Sequence, residues 1–140
     1  MRVDTFIDTG VLLCHLDDSD ARKHAIATRI VRDALTSRQG CISAQVVQEC
    51  LRAALDQAQQ PLDPADAAAY FGTVLAPLWR VMPTSSLFLQ ALEVQSRCGL
   101  GYADALIVAA ALEAGCTRLI SEDLPPGPLI SGLRVENPFL

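Results

Sequence analysis

Asp8, Glu49, Asp104 and Asp123 each border an apolar segment, and together they span most of the chain. Asp8 closes Val3-Asp4-Thr5-Phe6-Ile7. Glu49 lies within Cys41-Ile-Ser-Ala-Gln-Val-Val-Gln-Glu-Cys-Leu. Asp104 heads Ala105-Leu-Ile-Val-Ala-Ala-Ala-Leu, and Asp123 follows Arg118-Leu-Ile-Ser-Glu. A carboxylate beside buried chain is costly unless it is paired or bound to a cation. A fold that gathered these four would create an all-oxygen site for a hard divalent metal. Two hydroxyls flank them. Thr9 follows Asp8, and Ser121 precedes Asp123 by two residues. Hydroxyls so placed can orient a carboxylate or a metal's water, although each also suits a cap or a turn.

Each acid has a plainer explanation when taken singly. Asp8 suits a helix N-cap, Asp104 a helix N-terminus through the macrodipole, and Asp123 a turn before prolines. Glu49 shares a partly apolar helical face with Val46 and Cys50. Their common placement is what argues for chemistry, and it depends on the elements that carry them.

A chain of 140 residues is expected to form one domain over residues 1–140. With 51% hydrophobic and 19% charged residues it can bury a core without disulfide support. No apolar run reaches the roughly 18–20 residues that span a bilayer, and Met-Arg-Val-Asp does not read as a signal peptide. The five cysteines are odd in number and lack a CxxC pair, so they read as small hydrophobes in a reducing cytoplasm. A net charge of −5 argues against a simple basic nucleic-acid coat. The cluster Arg22, Lys23, Arg29, Arg32 and Arg38 reads first as a solvated helix face and second as a phosphate-tracking or partner-binding surface.

Strand and helix signals alternate. Val3–Ile7 predicts a buried strand and Thr9–Leu16 a helix. The acidic run from Asp17 breaks that helix and caps a second over Ala21–Thr36. Gly40–Ile42 is a short strand, and Ser43 caps a helix to about Gln57. Asp63-Pro64 starts another helix, which Pro77 ends. Leu78–Val81 is a third strand. Thr84 or Ser85 caps a helix to Arg97, and Tyr102–Ala114 is an Ala-rich helix stopped by Gly115. Thr117–Ile120 is a fourth strand, Pro125–Pro128 a turn, and Leu133–Val135 a last short strand.

This alternation predicts a three-layer α/β/α fold with a central, mainly parallel sheet of four to five strands. Right-handed crossovers then place Asp8, Glu49, Asp104 and Asp123 at the carboxyl edge of the sheet, where open α/β folds bind ligands. Asp4 enters the first strand from the other end, roughly 13 Å from Asp8 at the rise of a strand.

These segments, in this order, resemble PIN domains, and within them the VapC-like toxins of bacterial toxin–antitoxin pairs. The matching stretches are Phe6-Ile-Asp-Thr-Gly-Val-Leu-Leu, Ile42-Ser-Ala-Gln-Val-Val-Gln-Glu-Cys, Ala103-Asp-Ala-Leu-Ile-Val-Ala-Ala-Ala-Leu-Glu-Ala-Gly-Cys, Leu119-Ile-Ser-Glu-Asp-Leu and Gly132-Leu-Arg-Val-Glu-Asn-Pro-Phe. The resemblance implies a metal-dependent ribonuclease that binds Mg²⁺ or Mn²⁺ through Asp8, Glu49, Asp104 and Asp123. Asp8 and Asp104 would be the principal ligands, with Thr9 and Ser121 as auxiliaries. It also implies an RNA substrate, a homodimer, and a cognate antitoxin whose tail crosses the active-site groove. One departure stands out: many relatives carry Asn after the Asp-Thr pair, and here Gly10 occupies that place.

Such a cation would offset phosphate charge and lower the pKa of a bound water. Three other readings stand beside this one. They are a PIN-like binding module without catalysis, for which Gly10 is the one local hint, a DNA-directed nuclease, and an RNA-processing nuclease outside a toxin system. Receiver and haloacid-dehalogenase sites also place Asp after a first strand. The first needs a late lysine, whereas the sole lysine is Lys23, and the second wants an acid where Gly10 stands.

Overall fold

The computed structural model describes residues 2–140; Met1, the first residue of the expected domain, lies outside them. The elements are β1 (Thr5–Ile7), α1 (Thr9–Leu16), α2 (Ala21–Ser37), β2 (Gly40–Ser43), α3 (Ala44–Arg52), α4 (Pro64–Tyr70), α5 (Ala76–Leu78), β3 (Trp79–Val81), α6 (Ser85–Cys98), α7 (Tyr102–Glu113), β4 (Arg118–Ile120), β5 (Gly127–Pro128) and β6 (Arg134–Glu136). The sheet order is β3-β2-β1-β4-β6-β5. All pairings are parallel except β5 with β6. The expected architecture is therefore present: a mainly parallel sheet flanked by helices.

Polar caps set the helix boundaries. Asp8, Asp20, Ser43, Asp63 and Thr84 each accept a hydrogen bond from a backbone N–H in the first turn of the following helix. Such caps satisfy donors that the helix cannot reach. The core lies between sheet and helices and includes Phe6, Ile7, Leu12, Ile42, Leu75, Leu119 and Leu133. Gly40 permits a close approach there, because a Cβ at this position would lie 2.4 Å from Cβ of Ala34 on α2.

Several expected boundaries shift. The first strand begins at Thr5 rather than Val3, because the Asp4 and Thr5 amides both bond to Gln39 O. The last strand is Arg134–Glu136 rather than Leu133–Val135, since the Leu133 amide turns back to Ile130 O. Part of the expected proline turn is sheet: Gly127 and Pro128 pair antiparallel with Val135 and Arg134. This adds a sixth, two-residue strand at the edge, where proline's missing donor is tolerated. The helix from Ser43 does reach Gln57, but its end, Ala53–Gln57, is π-helical. Pro77 does not end its helix. After a π-helical stretch, Phe71–Leu75, it sits within the first turn of α5, where no N–H is required of it.

The topology positions the site. The chain lays β2 and β3 on one side of β1, then crosses to place β4 and β6 on the other. The strand order therefore reverses at β1, and the crevice beyond its carboxyl end is the ligand position of such sheets. The Asp8 amide donates to Ile120 O at 3.0 Å, which fixes the ends of β1 and β4 side by side.

Candidate active site

Asp8 leaves β1 and caps α1. Its Oδ1 accepts from the Thr9 amide at 2.7 Å and its Oδ2 from the Ser121 hydroxyl at 2.8 Å. It is 6% exposed, whereas acidic side chains are ordinarily solvated. Burial pushes its carboxyl up to about 6, against the lowering effect of these two bonds, and the charges of Asp123 and Glu49 add to the rise. Ser121, fully buried just past β4, also accepts from the amides of Asp123 and Leu124. One hydroxyl thus holds Asp8 and shapes the turn that carries Asp123.

Glu49 projects from α3. Its Oε1 accepts from the Thr9 hydroxyl at 3.0 Å and its Oε2 from Gln45 Nε2 at 3.3 Å. The same Gln45 amide donates to Ala103 O at 3.0 Å, joining α3 to the start of α7, where Asp104 stands in the first turn. Burial, then the nearby charges of Asp123 and Glu49, raises the Asp104 carboxyl above its usual range.

All four predicted acids line one cavity of about 270 Å³, together with Thr9, Gly10, Gln45 and Arg52. Ser121 stands behind it, bonded to Asp8. Asp4 borders a different cavity. Glu122 is engaged elsewhere, in an ion pair with Lys23 at 2.5 Å. A Cβ added at Gly10 would lie 3.8 Å from Asp123 Oδ2, so this position faces the acidic cluster with room for a side chain.

Gln45 and Arg52 are the residues that sequence reasoning missed. The available signal was helical spacing: Gln45 precedes Glu49 by four and Arg52 follows it by three, so all three share a face of α3.

Among the described residues, no three Asp, Glu, His or Cys side chains close into a ready metal cage. The donor set nevertheless suits Mg²⁺ or Mn²⁺. It is all oxygen, and Mg²⁺ commonly takes one or two carboxylates and keeps several waters. Burial first, and then repulsion from the neighbouring carboxylates, raises Asp8 and Asp104, and a bound cation would oppose both effects. Gln45 Oε1 is buried beside these carboxylates without a donor, which a cation's hydration shell would supply.

No curated protein sequence matches the chain. Solved structures do, at low identity. VapC20 of Mycobacterium tuberculosis, described as a sarcin-ricin loop cleaving toxin, superposes with a TM-score of 0.62 at 23% identity, covering 86% of this chain and 92% of that one. A toxin–antitoxin complex from Klebsiella pneumoniae gives 0.64 at 17%, covering 96% and 98%. A DNA-bound VapBC from Salmonella typhimurium gives 0.67 at 16%, again covering 96% and 98%. These likenesses show a common fold. The model of the PIN domain family matches residues 5–124, a span that contains all four acids and both flanking hydroxyls, and so the chain belongs to the PIN domain family.

Proposed function

We propose that this chain is a Mg²⁺- or Mn²⁺-dependent endoribonuclease and the toxin of a toxin–antitoxin pair, acting in the cytoplasm as a homodimer. The observation that carries the reading is the meeting of Asp8, Glu49, Asp104 and Asp123 on one cavity, with Thr9 and Ser121 bonded to two of them. The relatives described as a cleaving toxin and as toxin–antitoxin complexes support the biological setting.

Asp8 and Asp104 would be the principal ligands, with Glu49 and Asp123 acting through water or toward a second ion. Held there, the metal would offset phosphate charge and activate a water as nucleophile. The chain's own residues hold the geometry. Ser121 and the Thr9 amide fix both oxygens of Asp8, so its carboxylate has one orientation. Thr9 and Gln45 fix Glu49 from two sides. Such supports keep a ligand set within the tolerance that in-line attack demands.

The test is cleavage of matched single-stranded RNA and DNA with Mg²⁺, Mn²⁺ or chelator. The reading expects metal-dependent cutting of RNA. Cutting confined to DNA would replace it with the DNA-directed alternative. Metal binding without cleavage of either strand would favour the binding module.

A further inference from the structure

We infer that Arg52 is a phosphate-binding residue that seats the nucleic-acid strand against the acidic cluster; this rests on the nuclease reading above. A strand carrying one negative charge per nucleotide must approach a pocket lined by four carboxylates, in a protein of net charge −5. Cations bound to the acids would answer only the phosphate they touch. The flanking phosphates need a positive group on the cavity wall. Among the described residues that line this cavity, Arg52 is the one cation.

Three observations favour a role toward the ligand rather than toward the protein. First, Arg52 makes no ion pair among the described residues, whose salt bridges are Lys23–Glu122, Arg97–Glu93 and Arg118–Glu136. Second, the hydrogen-bond partners of Glu49, one turn back on α3, are Thr9 and Gln45 rather than Arg52. Third, it is exposed, and it stands where α3 passes into the π-helical stretch Ala53–Gln57. That stretch continues the same wall, since Ala53 and Gln57 also line the cavity. Isolated π-helical turns frequently mark functional sites. A guanidinium offers paired donors matched to phosphate oxygens.

The experiment measures anisotropy of a labelled single-stranded RNA of mixed sequence, in calcium, over a range of NaCl. Wild type, Arg52→Ala and Arg52→Lys are compared. An exposed helical Arg replaced by Ala is not expected to unfold the chain. Arg52→Ala should weaken binding by about tenfold, the worth of a charged hydrogen bond. It should also flatten the slope of log Kd against log salt by roughly 0.7, the share of one phosphate contact on a single strand. Arg52→Lys should restore the slope, because the charge returns, while recovering only part of the affinity. Equal affinity and slope in wild type and Arg52→Ala would overturn the assignment. Wild type that binds the strand but does not cut it with Mn²⁺ would sink the nuclease reading and leave the Arg52 comparison readable. Wild type that binds no RNA would sink both.

Discussion

The hydroxyl of Thr9 donates to Glu49 across 40 residues of chain, while the amide of the same residue donates to Asp8. Thr9 therefore sets the relation between the acid on β1's end and the acid on α3. Thr9→Val removes one of these bonds and keeps the other, since the amide is backbone. The expected result is a loss of about 10–100-fold in metal affinity or activity, typical of removing a ligand's orienting partner. Thr9→Ser should retain most of the activity. Metal titration by calorimetry and cleavage rates check both, and wild-type metal affinity and rate in Thr9→Val would show that Glu49 needs no orientation.

Ser121 carries a heavier structural share. Its oxygen serves Asp8 as donor and two amides as acceptor, fully out of solvent. Ser121→Ala leaves those groups unmet and should destabilise the fold by about 1–3 kcal/mol. It also removes a bond that holds the Asp8 carboxyl down, so the Asp8 pKa should climb above its present value of about 6. Urea denaturation reads the first effect and carboxyl NMR the second. An unchanged Asp8 titration would mean that the bond is absent in solution.

The difference between these residues explains what the sequence made legible. Acids bordering apolar runs are conspicuous because burial makes them costly, and alternating elements dictate which sheet edge receives them. Asp8, Glu49, Asp104 and Asp123 could be placed on that basis. Thr9 and Ser121 were visible only as neighbours of acids; their partners depend on contacts between distant elements. Gln45 and Arg52 carry no such mark, because a polar residue on a helix is ordinarily solvated. The Gly127–Pro128 strand was hidden for another reason. A proline-rich segment reads as a turn until a neighbouring strand, β6, offers it an edge.

Backbone strain gives a prediction independent of the site. Arg38 ends α2 in the left-handed region, at φ 62°, with its side chain in solvent. A residue with a Cβ pays roughly 1–2 kcal/mol there, and glycine pays a smaller entropic cost of about 0.5–1 kcal/mol. Arg38→Gly should thus raise stability by about 0.5–1 kcal/mol. Chemical denaturation checks this. An equal loss would mean that the Arg38 side chain holds a contact worth more than the strain.

The most direct probe of the buried acid is the pH dependence of the metal-free protein. Asp8 titrates near 3.8 when unfolded and near 6 when folded. Between these values the folded chain holds a proton that the unfolded chain has released. Stability contributed by Asp8 is therefore complete below about pH 4 and is lost as pH rises through 6. The loss is on the order of 3 kcal/mol at most. Asp104, also raised, acts in the same direction. The urea midpoint of wild type in chelator, compared with Asp8→Asn, should decline more steeply from pH 4 to 7. Adding Mg²⁺ or Mn²⁺ at pH 7 should recover wild type and leave Asp8→Asn nearly unmoved, because the cation favours the ionised carboxylate that the variant lacks. Parallel pH curves for the two proteins would mean that Asp8 is hydrated in solution and imposes no such strain on the metal-free fold.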